Sequence, residues 1–68
     1  MFFKLFTQDR IVLEAMIQFL HQRRVLVDYA IPIQEVGGYT QIVRVKCDEK
    51  DLRNMLRARF KKNFSITK

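Results

Sequence analysis

VLVDYAIPIQEVGGYTQIVRVKC, residues 25–47, reads as one long β-hairpin, and the rest of the chain takes its position from it. Val25, Val27, Tyr29, Ile31 and Ile33 alternate with Leu26, Asp28, Ala30, Pro32 and Gln34 at the two-residue period of a strand. After Gly37-Gly38, the run from Tyr39 to Cys47 alternates again, apolar against basic. Adjacent glycines between two β-branched runs signal a turn, because a positive φ costs glycine almost nothing.

The register follows from arithmetic on this stretch. A two-residue turn at Gly37-Gly38 pairs Ile31 with Arg44 and Tyr29 with Lys46, which puts bases on the apolar face. A three-residue loop, Val36-Gly37-Gly38, instead pairs Ile31 with Val43, Tyr29 with Val45 and Val27 with Cys47. A tight turn followed by a bulge at Pro32 leads to the same pairing, and proline, lacking an N–H for the ladder, favours such a bulge or an edge strand. The expected hairpin core is therefore Tyr29, Ile31, Val43, Val45 and Cys47.

Outward from the hairpin, Phe2–Phe6 is short, aromatic-rich and alternating, which reads as a strand. Thr7 is the expected N-cap of a helix running to Arg23, with Gln8 and Asp9 in its first turn. On that helix Ile11, Val12, Leu13, Ala15, Met16, Ile17, Phe19 and Leu20 fill an arc of roughly 240°, wider than the ~100° stripe of an ordinary surface helix. One side should face the sheet and another a second helix or a partner subunit. His21, Arg23 and Arg24 fall at the C-terminal end, where positive charge is favoured.

Beyond the hairpin, Asp48 is the expected N-cap of a second helix, with Glu49 and Asp51 in its acidic first turn. Leu52, Met55, Leu56 and Phe60 supply its apolar stripe. Arg59 falls inside that stripe and must snorkel, or the helix must unwind near Phe60–Lys62 with Asn63 as a left-handed cap. Phe64–Thr67 is β-prone and closes the chain as a short strand. The string is β-α-β-β-α with a final β, all within one small domain over residues 1–68. Two right-handed crossovers flanking a hairpin give the ferredoxin-like plait, an α+β fold with both helices on one face of an antiparallel sheet. Without the terminal strands, the alternative is a two-stranded hairpin with two helices, completed by dimerisation.

Composition narrows function mostly by exclusion. A chain of 68 residues that is 49% apolar forms a single core rather than a disordered segment. The one cysteine, Cys47, allows no internal disulfide, which fits a reducing cytoplasm. The opening Met1-Phe2-Phe3-Lys4-Leu5-Phe6 is too short for a signal core or a membrane span, so no membrane partner is expected. One histidine and one cysteine build no zinc site, and no phosphate-cradling glycine pattern opens a helix. The hydroxyls of Thr40, Ser65 and Thr67 have no base nearby in sequence. The acids at 48, 49 and 51 are accounted for as helix N-terminal residues. Catalysis, cofactors and metal are thus not expected. A metallochaperone-type CxxC is absent after the first strand, which reads Phe6-Thr7-Gln8-Asp9. The glycine that amino-acid-binding regulatory plaits carry near that loop is absent as well. Gly37–Val45 keeps only one Gly-aromatic step of an RNA-recognition pattern.

What remains is charge and an open sheet face. Residues 1–47 carry six Lys/Arg against four Asp/Glu, whereas residues 48–68 carry seven against three. On the second helix Lys50, Arg53, Arg57 and Lys61 project within about 80° of one another, away from Leu52, Met55 and Leu56. The sheet face opposite the helices should show Leu26, Asp28, Ala30 and Pro32 beside Thr40, Ile42, Arg44 and Lys46, with Phe2, Lys4 and Phe6 joining them. Aromatics interleaved with Lys and Arg are what a single-stranded nucleic-acid platform needs. The candidate nucleic-acid contacts are therefore Lys4, Arg44, Lys46, Lys50, Arg53, Arg57 and Lys61. The candidate oligomer interface is Phe2, Phe6, Leu26 and Ile42. The expectation is a basic, non-enzymatic, nucleic-acid-associated accessory or regulatory factor acting as a homo-oligomer on DNA or RNA. Its rival is an adaptor or oligomeric regulatory module that binds another protein and in which the basic charge is incidental.

Overall fold

The computed structural model describes residues 1–61 and 64–68. The elements are β1 (Phe2–Thr7), α1 (Arg10–Gln22), β2 (Leu26–Tyr29), β3 (Ile33–Glu35), β4 (Gly38–Val45), α2 (Glu49–Phe60) and β5 (Ser65–Thr67). All strand pairs are antiparallel, in the order β2-β4-β1-β5, with β3 beside the first half of β4. The chain is thus an α+β protein with, among the described residues, two helices and one five-stranded antiparallel sheet, and both Phe2–Thr7 and Ser65–Thr67 are strands.

β1 reads every other residue into the core because it lies in the middle of the sheet. Phe3 and Leu5 pair with Val43 and Gln41, and Leu5 pairs on its other side with Ile66. Their side chains meet Leu13, Met16 and Leu20 of α1 and Leu52 and Leu56 of α2 in one buried cluster. The wide apolar arc of α1 divides as its width requires. Leu13, Met16 and Leu20 enter the sheet core, while Phe19 turns to α2 and meets Phe60 edge-on at 5.8 Å between ring centres. Ile11 is left exposed.

Among the described residues, one helix cap differs from expectation. Thr7 is not the N-cap of α1; it is the buried last residue of β1, paired with Tyr39, and its hydroxyl donates to the Asp9 carbonyl at 2.7 Å. Asp9 caps instead, accepting from the Ile11 N–H at 2.9 Å. Asp48 caps α2 by accepting from the Asp51 N–H at 2.9 Å, and α2 runs through Arg59 to Phe60. The expected left-handed cap at Asn63 lies outside the described residues; Lys61 takes a positive φ of 59°.

The hairpin forms, but its register is neither of the two expected. The turn is Val36-Gly37, with Gly37 at φ 85°, and Gly38 is already the first residue of β4. Gly38 is there because a Cβ would strike the Thr7 carbonyl oxygen and stand 2.8 Å from the Phe6 ring. Ile33, Gln34 and Glu35 therefore pair with Thr40, Tyr39 and Gly38. The strand breaks at Ala30–Pro32, as the missing proline N–H leads one to expect, and the register shifts again between Leu26 and Asp28. The sum of these slips pairs Tyr29 with Val43, not Val45, and Leu26 with Val45.

An odd-numbered slip carries a side chain to the opposite face: Leu26 changes face, whereas Tyr29 slips by two residues along β4 and keeps its own. Val43 and Val45 are buried, and Cys47 is half-buried against the core. Tyr29 and Ile31 are not core; they stand 56% and 84% exposed at the edge of the sheet. Leu26, expected on the open face, sits on the helix side opposite Val45 and packs against the core, so it does not belong to the candidate interface.

Candidate functional site

The open face of the sheet carries most of what alternation placed there. Phe2, Lys4 and Phe6 of β1 stand opposite Arg44, Ile42 and Thr40 of β4. Phe2 is 65% exposed, and the Arg44 guanidinium lies over its ring at 5.7 Å. Arg44 also meets the Asp28 carboxylate at 3.8 Å, so its charge is locally opposed. Thr40 is withdrawn from the face, buried and donating to Glu35 at 2.9 Å. Lys4 has no carboxylate within ion-pair distance among the described residues, and Lys46 follows the end of β4 with its side chain exposed. Phe2, Phe6 and Ile42 share the face as a candidate interface, with Phe6 half-buried.

The basic row of α2 is less uniform than its spacing suggests. Lys50, Arg57 and Lys61 are exposed, but Arg53 is half-buried and donates to Glu49 at 2.9 Å. Among the described residues three arginines are thus opposed by carboxylates: Arg10 by Glu14, Arg44 by Asp28 and Arg53 by Glu49.

The acids have little left to offer elsewhere. Asp9 and Asp48 cap the two helices, Glu14, Asp28 and Glu49 face arginines, Glu35 holds Thr40, and Asp51 sits in the first turn of α2. Among the described residues, Lys4, Arg23, Arg24, Lys46, Lys50, Arg57, Arg59 and Lys61 make no ion pair. These side chains carry positive charge without a carboxylate partner, in a chain of formal charge +6.

Two arginines that the sequence reading did not select stand out. The Arg23 guanidinium lies 5.2 Å from the Phe19 ring centre, and that of Arg59 lies 5.4 Å from Phe60. The four-residue step from Phe19 to Arg23 is a helical neighbour pair that could have flagged the first. The second depends on Phe19 and Phe60 meeting across the helices.

Other features carry no evident chemistry. A cleft of about 450 Å³ between Phe6, Asp9, Val12 and Phe64 opens at the start of α1, where Asp9 already satisfies the Ile11 N–H. His21 is exposed at the end of α1. Burial pushes the Cys47 thiol pKa up, and the nearby Asp51 and Asp48 carboxylates push it the same way. Among the described residues no three His, Cys, Asp or Glu side chains come together to hold a metal ion, and no helix is long and apolar enough to cross a membrane. No family model matches this chain, and neither a curated protein nor a solved structure matches it.

Proposed function

We propose that this chain is a small, non-enzymatic nucleic-acid-associated factor that acts as a homo-oligomer, built as a ferredoxin-like plait. The plait reading treats β2 and β3 as one interrupted strand, and the strand order β2-β4-β1-β5 supports it. The observation that carries the functional reading is the division of charge. Six of the seven acidic side chains cap a helix, face an arginine or hold Thr40, and Asp51 lies in the first turn of α2, so among the described residues the unpaired cations have no carboxylate within ion-pair distance. Such a surface attracts a polyanion, and neutralising phosphates releases condensed counterions.

Lys50, Arg57 and Lys61 on α2 are the contacts to remove first; Arg53 is set aside because it is tied to Glu49. Replacing the three by Gln should lower the slope of log affinity against log salt by about 2 for a single-stranded oligonucleotide, at roughly 0.7 per lost contact. Binding measured by fluorescence anisotropy across a salt series reads this directly. A parent protein that binds no oligonucleotide near about 50 mM salt, or a triple variant with the parent slope, refutes the reading.

The oligomeric half of the reading rests on a different surface. Val27, Tyr29, Ile31 and Ile33 are all exposed along the β2–β3 edge as an apolar stripe, and Tyr29 lines a groove there together with Ile17 and Gln18 of α1. Strand addition is blunted there, since the Tyr29 N–H is taken by the Asp28 carboxylate at 2.8 Å and Pro32 has no N–H. Side-chain burial against a second copy is the favoured mode. The same stripe is what favours the adaptor reading, in which a different protein covers it.

A further inference from the structure

We infer that the cleft between α1 and α2, lined by Arg59 and flanked by Arg23 over the Phe19 ring, binds a phosphodiester group of a nucleic-acid strand. This rests on the nucleic-acid reading above and adds a site to it that lies apart from both the open sheet face and the outer row of α2.

The argument begins with how a long cation is held. An arginine fixed by a carboxylate is ordered at the expense of its charge, whereas one fixed over an aromatic ring is ordered and keeps it. The chain contains both kinds. Arg10 and Arg53 are held only by Glu14 and Glu49. Arg23 and Arg59 are held over Phe19 and Phe60, and no carboxylate lies within ion-pair distance of either among the described residues. The two rings are themselves locked edge-to-face at 5.8 Å with planes at 88°, so each guanidinium sits on one wing of a rigid pair. Both arginines are exposed.

Beside this pair is a cleft of about 160 Å³ whose lining suits an anion. Ala15 and the two rings form its apolar wall, and Gln18, Gln22 and Arg59 supply N–H donors, with no carboxylate in the lining. Gln18 and Gln22 are one helical turn apart on the exposed side of α1. Planar guanidiniums with forked donors match phosphate oxygens, and the adjacent rings offer the apolar surface on which a neighbouring base can stack. An inorganic anion would use only the donors. A strand uses the donors and the rings together, which is why the strand is the favoured occupant.

The test compares two double variants that remove the same net charge. Arg23→Gln/Arg59→Gln takes away the ring-held pair; Arg10→Gln/Arg53→Gln takes away two arginines already opposed by carboxylates. Anisotropy with a single-stranded oligothymidylate of about 12 nucleotides is followed across a salt series. The first variant should lose about 0.7 from the salt slope, the value for one phosphate on a single strand, and the second should retain the parent slope. In the parent, NMR signals of the Arg23 and Arg59 Nε–H and the Gln18 and Gln22 side-chain amides should move on adding the oligonucleotide. If the parent binds and both variants change the slope equally, charge alone acts and the cleft is refuted while the broader reading survives. Unchanged slope in the Arg23/Arg59 variant, or unmoved signals, refutes it too. A parent that does not bind overturns both readings together.

Discussion

If the β2–β3 edge is where two copies meet, Ile31→Asp should abolish association without touching the fold. Ile31 lies between β2 and β3 and is 84% exposed, so the folded chain draws almost nothing from its side chain. Substitution at such a surface position changes folding stability by no more than about 0.5 kcal/mol. Association is another matter. Fully burying an isoleucine side chain is worth about 1.5–3 kcal/mol, and most of that remains available at Ile31 for an interface. A two-fold interface loses the side chain from both copies, so the expected penalty is about 2.5–5 kcal/mol, or roughly two to three and a half decades in the dimer dissociation constant. The buried carboxylate adds to it. Sedimentation equilibrium of parent and variant at micromolar concentration measures the shift, and thermal unfolding checks that the variant is folded. Ile42→Glu, on the open sheet face, is the matched comparison and should leave association intact. Two results sink the idea: a parent that sediments only as an 8.2 kDa monomer, or an Ile42→Glu variant that dissociates while Ile31→Asp does not.

Two further outcomes test the frame that carries these surfaces. Gly38→Ala should destabilise the fold by about 1–3 kcal/mol in chemical denaturation, because the new Cβ meets the Thr7 carbonyl and the Phe6 ring. Gly37→Ala meets nothing and suffers only its positive φ, so an equal or larger loss there would contradict the close approach of β1 and β4. Cys47 should alkylate more slowly in the native protein than in urea at mildly alkaline pH, since burial raises its pKa and lowers the thiolate fraction. The native state holds that proton more tightly than the unfolded chain. This stabilisation is complete below the ordinary thiol range near ~8.5 and declines as pH rises through the native value. Equal alkylation rates in the two states would remove the burial argument.

The elements were legible because their signals are local. Asp48 followed by two acids, the 3- and 4-residue spacing of Leu52, Met55, Leu56 and Phe60, and the alternation of β1 each specify a backbone state over a few residues. The hairpin register was not, although its residues were read correctly as strands. Its turn is set by Gly38, and Gly38 is fixed by Thr7 and Phe6, more than thirty positions away in sequence. Nothing within residues 25–47 records that contact. Once the turn moved to Val36-Gly37 and the strand broke at Ala30–Pro32, Leu26 came to the helix side opposite Val45, while Tyr29, still opposite a core valine, and Ile31, inside the break, stand exposed at the edge of the sheet.

The charges follow the same division between local and distant. Glu49 four residues before Arg53 was visible as a helical pair, and it is why Arg53 does not belong with Lys50, Arg57 and Lys61. The pairing of Arg44 with Asp28 is visible only after the sheet is assembled. Arg59 marks the limit most clearly. In the sequence it interrupts an apolar stripe and reads as a helix in difficulty. In the fold its guanidinium reaches the ring of Phe60, which meets Phe19 from the other helix, and the stripe is unbroken. A side chain that looks misplaced along one helix is well placed between two. Net charge counts Arg10, Arg53, Arg23 and Arg59 alike, but the first pair stands against carboxylates and the second against aromatic rings. Only the second pair presents an unopposed field to a phosphate, so composition alone identifies a basic protein without identifying which bases can act.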